Sequence, residues 1–104
     1  MSKKDWTPED YPEMFDKLPD ERKKLLLDWI DTNLYPIQGF NTNHTSYGLK
    51  HRIKFPEGID HYFYNGEFKG AMLKCGFKVK DKDALNWVFN ISQKSPGLKN
   101  PACG

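Results

Sequence analysis

Cationic side chains recur at short intervals through the second half of this chain, and phosphate is the chemistry they suit. Lys50, Arg52 and Lys54 alternate with other residues, Lys69 and Lys74 follow, and Lys78, Lys80 and Lys82 come at intervals of two. Ammonium and guanidinium groups neutralise phosphates and release counterions, which gives affinity without sequence readout. Residues 39–104 hold ten Lys or Arg against five Asp or Glu, whereas residues 1–38 hold six against nine. The two parts differ in sign although the net charge is only +2. That asymmetry points to an anionic partner for the second part; the plain alternative is a solvated surface. Reading base edges would need groups such as Asn86, Asn90 or Arg52, so only weak sequence preference is expected. Tyr47, Tyr62 and Tyr64, where exposed, can stack on unpaired bases and favour single strands; ordinary packing is the alternative.

Patterns for catalysis are poor by comparison. His44, His51 and His61 are spaced by seven and ten residues and have no paired cysteines near them, so no compact metal-ligand pattern forms. Ser92 lacks a Gly-x-Ser-x-Gly setting and there is no Gly-x-x-x-x-Gly-Lys phosphate loop. Asp81 and Asp83 suit a turn better than paired acid–base work. Cys75 and Cys103 give no disulfide framework, and Cys75 reads as a small core residue. The expectation is a non-enzymatic protein with no cofactor and no metal.

The elements that must position the cations centre on residues 65–91. Asn65 is a favoured N-cap, Glu67 suits the positive end of a helix dipole, and Gly76 is placed to end the helix in a left-handed conformation. Between them Phe68, Ala71, Met72 and Cys75 share one apolar stripe, leaving Lys69, Gly70, Leu73 and Lys74 off it. The period then changes to two. Phe77 and Val79 alternate with Lys78 and Lys80, residues 81–83 are turn-like, and Leu85, Trp87, Phe89 and Ile91 alternate with Asn86, Val88 and Asn90, which predicts a β-hairpin.

Earlier in the chain, Thr7, Pro8, Glu9 and Asp10 open a predicted helix over 8–17, and Leu18-Pro19 breaks it. A stronger helix is predicted over 19–34, with Leu25, Leu26, Trp29 and Ile30 on one stripe and Leu27 and Leu34 widening it. Thr45 or Ser46 can cap a shorter helix over 47–54. Residues 55–64 read equally as a loop entering a short strand or as a single turn. The Pro- and Gly-marked residues 96–104 read as a flexible tail.

This order predicts an α+β fold: a single domain over 1–104, with N-terminal helices over 8–34 and a mostly helical, winged helix-turn-helix-like part over 41–95 that ends in a C-terminal β-hairpin. Lys50, Arg52, Lys54, Lys69, Lys74, Lys78, Lys80 and Lys82 are then the candidate DNA ligands. Leu27, Leu34 and Leu73 are candidates for a protein contact, Leu73 because it is apolar on an otherwise basic face. No apolar run approaches membrane-spanning length and no signal-peptide pattern is present, so a cytoplasmic protein with no membrane partner is expected.

Three phrases, Asn43 to His51 (NHTSYGLKH), Asn65 to Leu73 (NGEFKGAML) with Gly76 and Phe77 after it, and Leu85 to Ser92 (LNWVFNIS), resemble a family of small proteins from phages and other mobile elements of Gram-positive bacteria. The resemblance covers residues 41–95. Within that group it extends to the small protein that accompanies a family A DNA polymerase in staphylococcal cassette elements. It implies an accessory that helps a polymerase start or hold DNA synthesis, and it carries no catalytic residues. The resulting expectation is a DNA-binding accessory protein that acts with a replication protein. The alternative is a protein-binding module that inhibits a host enzyme or a defence nuclease.

Overall fold

In the computed structural model, which describes residues 6–53 and 62–98, one ten-residue helix is packed on nearly every side. The elements in order are 3₁₀ turns at Pro8–Asp10 and Pro12–Lys17, helix α1 at Asp20–Asn33, helix α2 at Ser46–Lys50, helix α3 at Asn65–Lys74 and a 3₁₀ turn at Pro96–Leu98. Local signals explain most of these bounds. The Glu67 carboxylate accepts a hydrogen bond from the Tyr64 backbone N–H at 2.8 Å, so the cap of α3 lies one residue before Asn65. At the other end Gly76 has φ of +88°, and the Gly76 and Phe77 N–H groups donate to the Leu73 and Met72 carbonyls. This is the left-handed ending expected of a glycine there.

The segment expected as a helix over 8–17 is instead two 3₁₀ turns. Tyr11 between them is extended (φ −85°, ψ 137°) because it precedes Pro12, whose ring excludes the helical region for the residue before it. Thr7 closes the first turn, its N–H and hydroxyl both meeting the Asp10 carboxylate. This strap, residues 6–18, lies along α3 and sends Trp6, Phe15 and Leu18 into the core. Gly66 and Gly70 permit the approach. A Cβ at Gly66 would overlap the Tyr11 carbonyl oxygen, and one at Gly70 would overlap the Pro12 carbonyl oxygen and the Phe15 side chain.

The expected α+β winged helix-turn-helix is not what forms. Helices and turns are the only extended runs of regular structure among the described residues, and the hairpin is reduced to one isolated bridge between Val79 and Phe89. Val88 O accepts from Lys80 N–H and Asn90 N–H donates to Lys78 O, but other backbone groups of residues 87–92 go to residues 35–46. Ser46 binds both backbone groups of Trp87, Asn41 N–H donates to Phe89 O, Ile37 N–H donates to Asn90 O, and Ser92 N–H donates to Tyr35 O. The second bridge, Pro36 to Ile91, cannot lengthen normally because proline has no N–H to donate. A reading helix is excluded as well, since every residue from Asn65 to Met72 is buried.

The core joins Leu26, Ile30 and Leu34 of α1, Leu49 of α2, Phe68, Ala71 and Met72 of α3, and Phe63, Trp87, Phe89 and Ile91 from the intervening segments. Leu98 is buried too, so the start of the expected tail is ordered, with Gly97 close against Trp29 and Asn33 of α1. No helix among the described residues is long and apolar enough to cross a membrane.

Candidate nucleic-acid interface

The exposed chemistry gathers where α2 meets the approach to α3. Ser46 anchors α2 from below: it is fully buried, its N–H donates to Trp87 O at 2.7 Å, and its hydroxyl accepts from Trp87 N–H at 2.9 Å. With Leu49 also buried, Tyr47 and His51 are left at the surface. Opposite them, residues 62–64 alternate as an extended chain does, with Phe63 in the core and Tyr62 and Tyr64 outside. Arg22 of α1 fixes this segment, donating to the Tyr62 carbonyl and lying 4.5 Å from the Phe63 ring centroid.

Four rings follow one another across the surface. Tyr47 and His51 have centroids 4.7 Å apart, His51 and Tyr62 6.4 Å, and Tyr62 and Tyr64 5.6 Å. The planes turn by 54° to 87° at each step, so the rings do not form one continuous stack. Lys50 lies beneath Tyr47 and Tyr62, only 7% exposed. Its ammonium donates to the Tyr62 hydroxyl at 2.9 Å and sits 4.1 Å and 5.1 Å from the Tyr62 and Tyr47 centroids. The arrangement is fixed before any ligand arrives, which lowers the ordering cost of binding.

Electrostatics at this surface follow from burial. Desolvation lowers the His51 pKa, and the neighbouring Lys50 charge adds to the effect, so the ring is a neutral stacking face at physiological pH. Glu67 is raised, chiefly by burial, against the Tyr64 N–H and the Arg22 and Lys50 charges that favour its ionised form.

The cations proposed from the sequence are dispersed. Lys69 is fully buried: its ammonium donates to the Asp10 carbonyl at 2.9 Å and lies 3.6 Å and 4.9 Å from the Trp6 and Trp87 ring centroids, out of reach of phosphate. Lys50 is engaged under the rings, and the half-buried Arg52 reaches the Gly97 carbonyl at 3.4 Å. Lys74, Lys78, Lys80 and Lys82 are exposed, while Lys54 lies outside the described residues. The proposed base readers are structural: Asn86 accepts from Asn65, and buried Asn90 accepts from Lys78 N–H and donates to Ile37 O. Of the apolar partner candidates, Leu34 is in the core and Leu27 is half-buried against it, leaving only Leu73 substantially exposed.

His44 pairs with Gln93 at 3.2 Å, and His61 lies outside the described residues. Among the described residues no group of three or more His, Cys, Asp or Glu is placed to hold a metal. Cys75 packs half-buried against the core, and desolvation, with Asp31 and Asp28 adding to it, pushes its thiol pKa up to about 11. The sequence named each of the three surface tyrosines; what it lacked was their proximity to one another and to His51. No family model, curated protein or solved structure matches the chain.

Proposed function

We propose that this protein is a non-enzymatic accessory factor that binds single-stranded DNA through Tyr47, His51, Tyr62 and Tyr64. One observation carries the reading: three tyrosines, each about half exposed, form one row of rings with a histidine, Tyr64 joining through Tyr62, and a lysine that is itself satisfied lies under Tyr47 and Tyr62. Stacking on aromatic faces is sequence-tolerant, because every base has a π-face, and duplex bases are not available to it. The tilt between successive rings suits bases splayed apart rather than a continuous stack. The resemblance of residues 41–95 to small mobile-element proteins supports a setting in which the bound strand is handed to a DNA polymerase.

Fluorescence anisotropy with a labelled oligothymidylate, and with a hairpin duplex of equal length beside it, tests the proposal. The single strand should bind more tightly. Tyr47→Ala, Tyr62→Ala and Tyr64→Ala should each weaken it by roughly five- to a hundredfold, as expected for loss of one stacked base. Equal binding of both oligonucleotides, or no effect of the three variants, would discard this surface. A protein-binding module remains the second reading, and exposed Leu73 favours it.

A further inference from the structure

Lys50 and Lys69 are the buried lysines among the described residues, and their charges are spent differently. The Lys69 ammonium donates to a backbone carbonyl, an acceptor with no proton to pass on. The Lys50 ammonium donates to the Tyr62 hydroxyl, on a residue 56% exposed. Buried charges are normally paired, yet Lys50 belongs to no ion pair among the described residues. The Glu67 carboxylate feels its charge but accepts from the Tyr64 N–H. An ammonium has donors and no lone pair, so the Tyr62 oxygen must accept, and its own O–H proton must point away from Lys50. No group among the described residues accepts that proton. Arg22 donates to the Tyr62 carbonyl as well, so the residue is held at its backbone and at its tip.

We infer that the Tyr62 hydroxyl, backed by Lys50, is a phosphate-binding group of the ring surface: it donates to one anionic oxygen of the bound strand's backbone while the rings take the bases. This rests on the single-strand reading of that surface. Hydrogen bonds in a chain polarise one another, so a phenol that accepts from an ammonium is a stronger donor in turn. The charge of Lys50 is thereby felt at the surface while the ammonium itself stays buried. Its sign sets the choice of acceptor. With a positive charge 2.9 Å behind the hydroxyl oxygen, an anionic phosphate oxygen gains more than a neutral base carbonyl does. Lys50 is a positioning residue in this scheme: it turns the hydroxyl outward and does not touch the strand.

Anisotropy titrations of the full-length protein with two oligothymidylates of equal length, one with ordinary phosphodiester linkages and one with uncharged methylphosphonate linkages, test the inference. Tyr62→Phe keeps the ring and removes only the hydroxyl. It should weaken the phosphodiester strand about three- to tenfold, the range of one net hydrogen bond, and the methylphosphonate strand by less than about twofold. Tyr64→Phe, which removes a hydroxyl that receives no ammonium, should change either strand by less than about twofold. On a Lys50→Met background the Tyr62→Phe loss should shrink, a coupling that a purely structural lysine would not produce. If Tyr62→Phe binds the phosphodiester strand like the parent while Tyr62→Ala does not, stacking stands and the phosphate contact is overturned. Equal losses on both strands would place the hydroxyl on a base and overturn it too. No binding of the phosphodiester strand by the parent protein would discard the ring surface and this contact together.

Discussion

The ammonium of Lys69 lies 3.6 Å from the centre of the Trp6 ring and donates to the Asp10 carbonyl 59 residues away, which makes a lysine the pin between α3 and the N-terminal strap. Cation–π contact of a desolvated ammonium is worth about 2 kcal/mol, and a hydrogen bond to a charged group about 1.5–3 kcal/mol. Lys69→Ala removes both and leaves a void, so it should destabilise the fold by about 2–4 kcal/mol in urea unfolding. Lys69→Met keeps most of the stem volume and should lose less. A stability unchanged in Lys69→Ala would refute this role.

Gly66 and Gly70 should resist alanine for the same reason that the strap packs so closely. In an exposed helix Gly→Ala gains about 1 kcal/mol, and Gly48, with nothing within 4 Å of a Cβ, is the matching control. Gly66→Ala and Gly70→Ala should reverse that sign, because the added methyl group meets backbone carbonyls of the strap that can move only by giving up packing. Thermal melts of the three variants decide the matter: a Gly70→Ala protein as stable as the Gly48→Ala protein would mean that the strap is loosely held.

Salt dependence of single-strand binding should be shallow. Lys69 is in the core and Lys50 is occupied by Tyr62, so among the described residues few cations are left free to border the ring surface. With three or fewer phosphates neutralised, the slope of log K against log salt should be no steeper than about −2. Anisotropy titrations across a salt series measure it. A slope near about −3 would instead place the strand along Lys74, Lys78, Lys80 and Lys82.

Acidification should destabilise the fold beginning near the ordinary histidine pKa. His44 is lowered by burial and by the Arg52 charge, with its Gln93 hydrogen bond opposing, and His51 is lowered by burial and Lys50. A depressed histidine binds fewer protons in the fold than in the unfolded chain, so the stability it contributes is present above about 6.5 and falls as pH drops toward the folded value. Urea midpoints measured between pH 7.5 and 5.5 should fall, and the decline should flatten in a His44→Gln, His51→Gln protein. An identical decline in that protein would assign it to other groups.

Much of the helical layout was legible in the residues. The helix expected over 19–34 forms at Asp20–Asn33, and the one beginning at Asn65 ends at the left-handed Gly76. Those signals act within one turn: a proline, an early carboxylate, a glycine at the end, an apolar stripe at helical spacing. The helix expected over 47–54 is instead Ser46–Lys50, and its first residue pairs with Trp87, a contact that no local signal marks.

What tertiary structure alone decided is which polar and cationic groups face water. Spacing put Lys69 off the apolar stripe of α3, which was correct, but the strap covers that side as well, so the lysine meets two tryptophans and a carbonyl instead of phosphate. The alternating residues 77–91 carry a strand pattern, yet their backbone partners come from residues 35–46 as much as from each other, leaving one bridge between the two arms where a hairpin was expected. Tyr47, His51, Tyr62 and Tyr64 likewise become one surface only because Lys50 and Arg22 hold two distant segments together. Caps and periodicity are local free-energy preferences readable from neighbours in the chain. Burial of a charge, by contrast, depends on partners up to 59 residues away, whose positions exist only once the chain has folded.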